Sequence, residues 1–165
     1  SEVLSVFIAS LFGLTVFTPI HILWINLITD SLPALALGME EAESNAMKKP
    51  PRDSKESIFA GGLISGTVYQ GILVSVLTVL AYLVGHYIEA GKWELVNSAD
   101  GMTMAFLTLS MAEIFHSFNM RSRHGSIFTI KKQNIVLWGS GLLALILTTA
   151  VIYVPFMARL FDFTP

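Results

Sequence analysis

The sequence contains no cysteine, which excludes a disulfide framework and any thiolate metal centre. Charge is scarce too: Asp, Glu, Lys and Arg make up 13% of the 165 residues, about half the share in an ordinary soluble domain. With 53% hydrophobic residues, the composition is that of a membrane protein. The net charge of −2 singles out no partner. The first apolar run starts almost at Ser1, with neither the basic flank nor the small-residue cleavage site of a signal peptide. That run reads as the cut end of a longer helix, so the chain is expected to be a fragment.

A single bilayer crossing needs about 20 mainly apolar residues. Runs at 19–39, 58–88, 102–120 and 135–157 meet that need, and a fifth, 3–17, is the truncated one. The expected fold is therefore all-α, a polytopic transmembrane bundle of five segments. Of the ten basic residues, four fall in 39–57 and four in 121–132, leaving only Lys92 and Arg159 elsewhere. Placing those two loops in the cytoplasm satisfies the positive-inside rule. They are topology signals and solvated surface, not nucleic-acid sites. The first segment then runs outward and the others alternate, leaving the last residues at the outer face. Trp93, Trp138 and Tyr153 mark segment ends, where aromatic belts form. Gly62 and Gly66 have the spacing that permits close helix packing.

Within "HILWINLITDSLPALALG" (21–38) a carboxylate, Asp30, sits in an apolar run that Pro33 then interrupts. Nine of the twelve acidic residues lie in loops or near segment ends; Glu2, Asp30 and Glu113 do not. A charge at bilayer centre costs at least about 2.5–3.5 kcal/mol, so such groups usually face the bundle interior and mark ion or proton pathways. With Gly13, Pro19 and Met102 as outer ends, Glu2, Asp30 and Glu113 each lie eleven residues in. At about 1.5 Å per residue that is about 16 Å, the midplane of a core about 30 Å thick.

Asn26, Thr29 and Asp30 stand at i, i+3 and i+4, one face of a helix, and offer an amide carbonyl, a hydroxyl and a carboxylate. Hard divalent cations such as calcium take six to eight oxygens, and carbonyls freed near Pro33 can add to the shell. His21 and His86 lie near segment ends and give no soft-metal site. His116 reads as an interfacial or structural partner of Glu113. Three alternatives stay open on these residues: a site for manganese or sodium, half of a secondary transporter with a broken helix and midplane acids, and a structural subunit in which neutralising Asp30 alters stability alone. The inverted repeat expected of the secondary transporter is not found.

The stretches "HILWINLITDSLPALALG" and "KKPPRDSKESI" closely resemble the sixth transmembrane helix and following cytoplasmic loop of calcium-transporting P-type ATPases of the sarco/endoplasmic reticulum type and their bacterial relatives. "SEVLSVF" resembles the end of the fifth helix, "MTMAFLTLSMAEIFHSFNMRS" the eighth, and "NIVLWGSGLLALILTTAVIY" stands where the ninth belongs. The resemblance implies a cation-transporting ATPase C-terminal membrane domain over 1–165. Its parts are the end of the fifth helix at 1–17, the sixth at 19–39, a cytoplasmic loop at 40–57 and the seventh helix at 58–88. An outer loop at 89–101, the eighth helix at 102–120, a cytoplasmic loop at 121–133, the ninth helix at 134–157 and an outer tail at 158–165 follow.

The implied activity is calcium export driven by ATP through an aspartyl-phosphate, with protons returned. Asp30 would bridge two ion sites, Asn26 would serve the second, and Glu2, Thr29 and Glu113 the first; Glu2 and Glu113 are the implied proton carriers. Ser31 stands where the animal pumps have glycine, and Glu113 where many bacterial relatives lack an acid. Calcium is implied as the transported ion, with magnesium and ATP used only in cytoplasmic domains that would precede Ser1. The implied partners are the lipid bilayer and the other helices and domains of the same parent chain, with no nucleic acid. The expected location is a bacterial cytoplasmic membrane, and this fragment alone would not hydrolyse ATP.

Overall fold

The computed structural model describes residues 1–40, 63–120 and 134–164, and every regular element among them is helical. The all-α expectation therefore holds. The first helix, α1 (Glu2–Leu11), stops six residues short of the expected Phe17. Gly13 takes φ +70, the left-handed conformation that ends helices, and Thr18 is extended ahead of Pro19.

The next span, Pro19–Gly38, is 20 residues long and is built in three pieces. α2 (Pro19–Trp24) leads into a π-helical turn, Ile25–Asp30, and α3 (Ser31–Gly38) completes it. The interruption expected near Pro33 is thus a widened turn just before it, and the helix runs on through the proline. Pro33 has no N–H and its ring presses on the carbonyl one turn earlier, so widening the preceding turn relieves the clash without breaking the rod.

α4 (Leu63–Ala90) has 28 residues, about 42 Å of helix, which exceeds the hydrocarbon core. α5 (Ala99–Asn119) starts at Ser98, whose hydroxyl accepts the Gly101 N–H at 2.9 Å. α6 (Ile135–Tyr153) is capped by Asn134, which accepts the Leu137 N–H at 3.0 Å. It ends at Tyr153, earlier than the expected 157, because Val154 turns extended before Pro155 and a short α7 (Pro155–Leu160) begins there.

Pro19–Gly38, Ile64–Ala90 and Ile135–Tyr153 are long and apolar enough to cross a membrane. α5 matches them in length but carries Thr103, Ser110, Glu113, His116 and Ser117. Most of its side chains are buried or half-buried, so α5 is the interior helix. Leu23, Leu27, Leu35, Leu80 and Leu142 stay exposed on the other spans, a surface suited to lipid and not to water.

α4 and α5 form the tightest pair, an antiparallel hairpin. A Cβ added to Gly85 would lie 2.7 Å from the Asp100 carbonyl oxygen, and one on Gly101 would lie 2.9 Å from that of Tyr82. The close packing that the spacing of Gly62 and Gly66 suggests is not seen at Gly66. Gly66 meets nothing within 4 Å among the described residues, and Gly62 lies outside them. Spacing alone does not select the contact, because only glycines opposite another backbone permit close approach.

Two groups of contacts define the ends of the bundle. At one, the Thr15 N–H donates to Asn97 Oδ1 at 2.8 Å and the Thr164 N–H to Thr103 Oγ1 at 3.2 Å. At the other, Asn134 Nδ2 donates to the Ala36 carbonyl at 2.9 Å and to Glu40 Oε2 at 2.7 Å. The segments therefore alternate as expected. The loops expected at 40–57 and 121–133, Glu40 excepted, lie outside the described residues. Residues 158–164 are no free tail: Phe161 and Phe163 are buried in an apolar cluster with Phe106, Tyr82, Leu109 and Ile25. A second cluster, Ala36, Ile114, Phe118, Leu137 and Ala144, closes the other end. In lipid such clusters hold by dispersion and fit, since moving an apolar side chain out of hydrocarbon gains little.

Candidate ion-binding site

The five oxygen-bearing residues singled out in the sequence come from three elements: Glu2 from α1, Asn26, Thr29 and Asp30 from the π turn and its end, and Glu113 from α5. Asn26 Nδ2 donates to Glu2 Oε2 at 3.1 Å and to the Ile22 carbonyl at 2.9 Å. The carboxylates of Glu2, Asp30 and Glu113 lie near enough to repel one another. The structure therefore brings Glu2, Asn26, Asp30 and Glu113 into one region.

Thr29 is different in kind. It is 1% exposed and its hydroxyl donates to the Ile25 carbonyl at 2.8 Å, which fixes its rotamer against the π turn. A donating hydroxyl keeps its lone pairs, and an amide that donates through Nδ2 keeps Oδ1, so Thr29 and Asn26 both retain acceptor capacity. One oxygen of Glu2, Oε1, is buried with no hydrogen-bond partner among the described residues. The described basic residues, Lys92 and Arg159, lie at the end of the bundle away from these acids, so no lysine or arginine side chain among them neutralises the three carboxylates.

Among the described residues no three carboxylates or imidazoles close into a metal cluster of their own. The arrangement is a group of three acids and an amide, with the Thr29 hydroxyl on the same turn as Asn26 and Asp30. A cation of calcium's coordination number drawn into it would use mixed oxygen types and further oxygens from neighbours.

Two participants escaped sequence reasoning. Ser31 Oγ donates to the Asn26 carbonyl at 2.6 Å, adding to the bond from the Ser31 N–H and securing the π turn from below. Its i, i+5 spacing from Asn26 is that of a π turn, a signal hidden when the segment is read at α-helical period. Ser1 Oγ donates to Glu113 Oε1. His116 stands half-buried on α5 with no described contact to the acids.

The family described as "Cation transporting ATPase, C-terminus" matches residues 14–165. Calcium-transporting ATPase 1 of Bacillus cereus is 38% identical over 172 residues, which cover 97% of this chain and 19% of that protein. The calcium-transporting ATPase of Bacillus subtilis is 38% identical over 161 residues, 97% of this chain and 18% of the relative. Calcium-transporting ATPase 3, endoplasmic reticulum-type, of Arabidopsis thaliana is 29% identical over 188 residues, 99% of this chain and 19% of the relative. The chain thus spans about a fifth of the length of these curated relatives.

Proposed function

The chain belongs to the family of cation-transporting ATPase C-termini, and from that premise we propose that it forms the ion-binding membrane part of an ATP-driven calcium exporter. Glu2, Asn26, Thr29, Asp30 and Glu113 are the proposed ligands, on the segments that resemble the fifth, sixth and eighth helices. The observation that carries this reading is the convergence of three carboxylates beside a π turn with no lysine or arginine among the described residues to neutralise them. Such a group is costly in a low-dielectric bundle unless a cation or protons fill it.

Calcium suits the donor set because every donor is oxygen and because the matched relatives carry that name. The same carboxylates, emptied of cation, are the proposed carriers of returning protons. Return of protons through Glu2 and Glu113 follows as part of the proposal. Hydrolysis of ATP, with its magnesium, belongs to parts of the parent outside this chain. A bacterial cytoplasmic membrane is the proposed location, supported by the bacterial relatives and the short outer connections.

The test is ATP hydrolysis by the purified full-length parent, with calcium, manganese and sodium each titrated, for the native protein and Asp30→Asn. Turnover that calcium stimulates at micromolar concentration, and that Asp30→Asn abolishes, is the expected result. Turnover stimulated by manganese or sodium in its place would reassign the cargo. Calcium-stimulated turnover indifferent to Asp30→Asn would remove Asp30 from the ligand set.

A further inference from the structure

His21 lies at the outer start of the span that carries the ion site, fully buried at 0% exposure. Both of its ring nitrogens are engaged. Nδ1 accepts the Thr18 N–H at 3.3 Å, closing the N-terminus of α2, and Nε2 stands 2.6 Å from the Phe161 carbonyl oxygen. A nitrogen facing a backbone N–H must carry its lone pair, and one facing a carbonyl must carry the proton. The two bonds together thus fix the neutral ring with the proton on Nε2.

The ring is also the centre of an aromatic stack. Phe163 lies parallel at 4.5 Å, Phe106 of α5 is tilted at 5.5 Å, and Phe161 meets Trp24 edge-on at 5.4 Å. Between the two phenylalanines Asp162 takes φ 54, a left-handed conformation that costs a residue with a Cβ. The turn of the tail is therefore held against its own backbone preference by what it grips.

We propose that His21 is a proton-operated latch: neutral, it clamps the 161–164 tail to the start of the ion-carrying helix, and doubly protonated it lets both go. A second proton on Nδ1 would set donor against donor at the Thr18 N–H, so the cap is lost at the moment the ring gains charge. The buried aromatic stack offers that charge little solvation, and the strain at Asp162 favours release of the tail. The charged groups on the elements packed around the ring are Asp162 of the tail, Asp100 of α5, which accepts from Thr164 Oγ1, and Arg159 of α7. α2 and residues 12–18 bring none. The latch does not depend on which cation the site carries, because the ring that titrates is five residues from Asn26 and touches none of the proposed ligands.

The experiment uses the purified full-length parent with Ala158→Cys, a buried small residue of α7, and separately Phe156→Cys, an exposed one. Cysteines elsewhere in the parent are replaced by serine. A water-soluble maleimide labels each from about pH 8 to about pH 5, and the ratio of buried to exposed labelling rates cancels the thiol's own titration. The ratio is expected to rise by about tenfold per pH unit as histidine protonates. It should stay flat in His21→Gln, which offers one donor and one acceptor but takes up no proton. His21→Asn serves the same comparison should His21→Gln fail to assemble. A flat ratio with His21 present, or an equal rise without it, overturns the latch.

Discussion

At Asn26 the amide nitrogen is occupied by Glu2 and by the Ile22 carbonyl, and the amide oxygen is what remains for a ligand. Thr29 repeats the pattern, its proton directed at Ile25 and its lone pairs left over. The protein thus orients two neutral side chains before any ion arrives, which lowers the ordering cost of binding. Thr29→Val keeps the shape and removes the oxygen. Its stability cost is expected to be about 0.5–1.5 kcal/mol by thermal unfolding. The calcium concentration for half-maximal turnover of the parent is expected to rise about tenfold, or about 1.4 kcal/mol. An unshifted calcium curve in a protein that folds would show that Thr29 only braces the π turn. The side chains themselves were legible in the sequence, because an acid flanked by an amide and a hydroxyl is costly in an apolar run unless it faces a ligand. Their division of labour was not, since which atom donates depends on partners as far off as Glu2.

Among the elements, the π turn is where sequence and structure part most instructively. Pro33 announces an interruption, but the backbone absorbs it upstream at Ile25–Asp30, over the residues that carry the candidate ligands. Restoring the missing N–H with Pro33→Ala is expected to let the segment relax toward α-helical pitch. That change turns Asn26 and Asp30 relative to each other, and calcium affinity should fall by about tenfold or more with no loss of thermal stability. Calcium-dependent hydrolysis and melting of the same preparation check both halves. The α4–α5 hairpin gives a complementary expectation. Gly85→Ala drives a methyl into the Asp100 carbonyl, a backbone atom that has no rotamer to move, so a loss of about 1–3 kcal/mol is expected in thermal unfolding. Helix existence was readable from run length. Helix ends were not, because they are set by Gly13 and Val154 conformations that follow from neighbours.

For the whole molecule, two apolar clusters close the ends and the polar layer lies between them. The end cluster that includes Phe161 and Phe163 was invisible to hydropathy, which reads the last residues as an outer tail because they follow a proline and contain Arg159 and Asp162. Phe163→Ala removes a ring that stacks on His21 and Phe106, and a cost of about 3–5 kcal/mol is expected, seen as a lowered melting temperature of the solubilised parent. A change within about 0.5 kcal/mol would mean that the tail is not part of the core.

The glycine contact between α4 and α5 has a mechanical meaning. Two helices whose backbones touch at Gly85 and Gly101 cannot slide without collision, so the hairpin behaves as an anvil. Glu113 is mounted on that anvil, whereas Asn26, Thr29 and Asp30 are mounted on the one interrupted span among those described. The proposed site therefore has one wall fixed by backbone contact and the other carried on a span whose π turn is its least regular stretch.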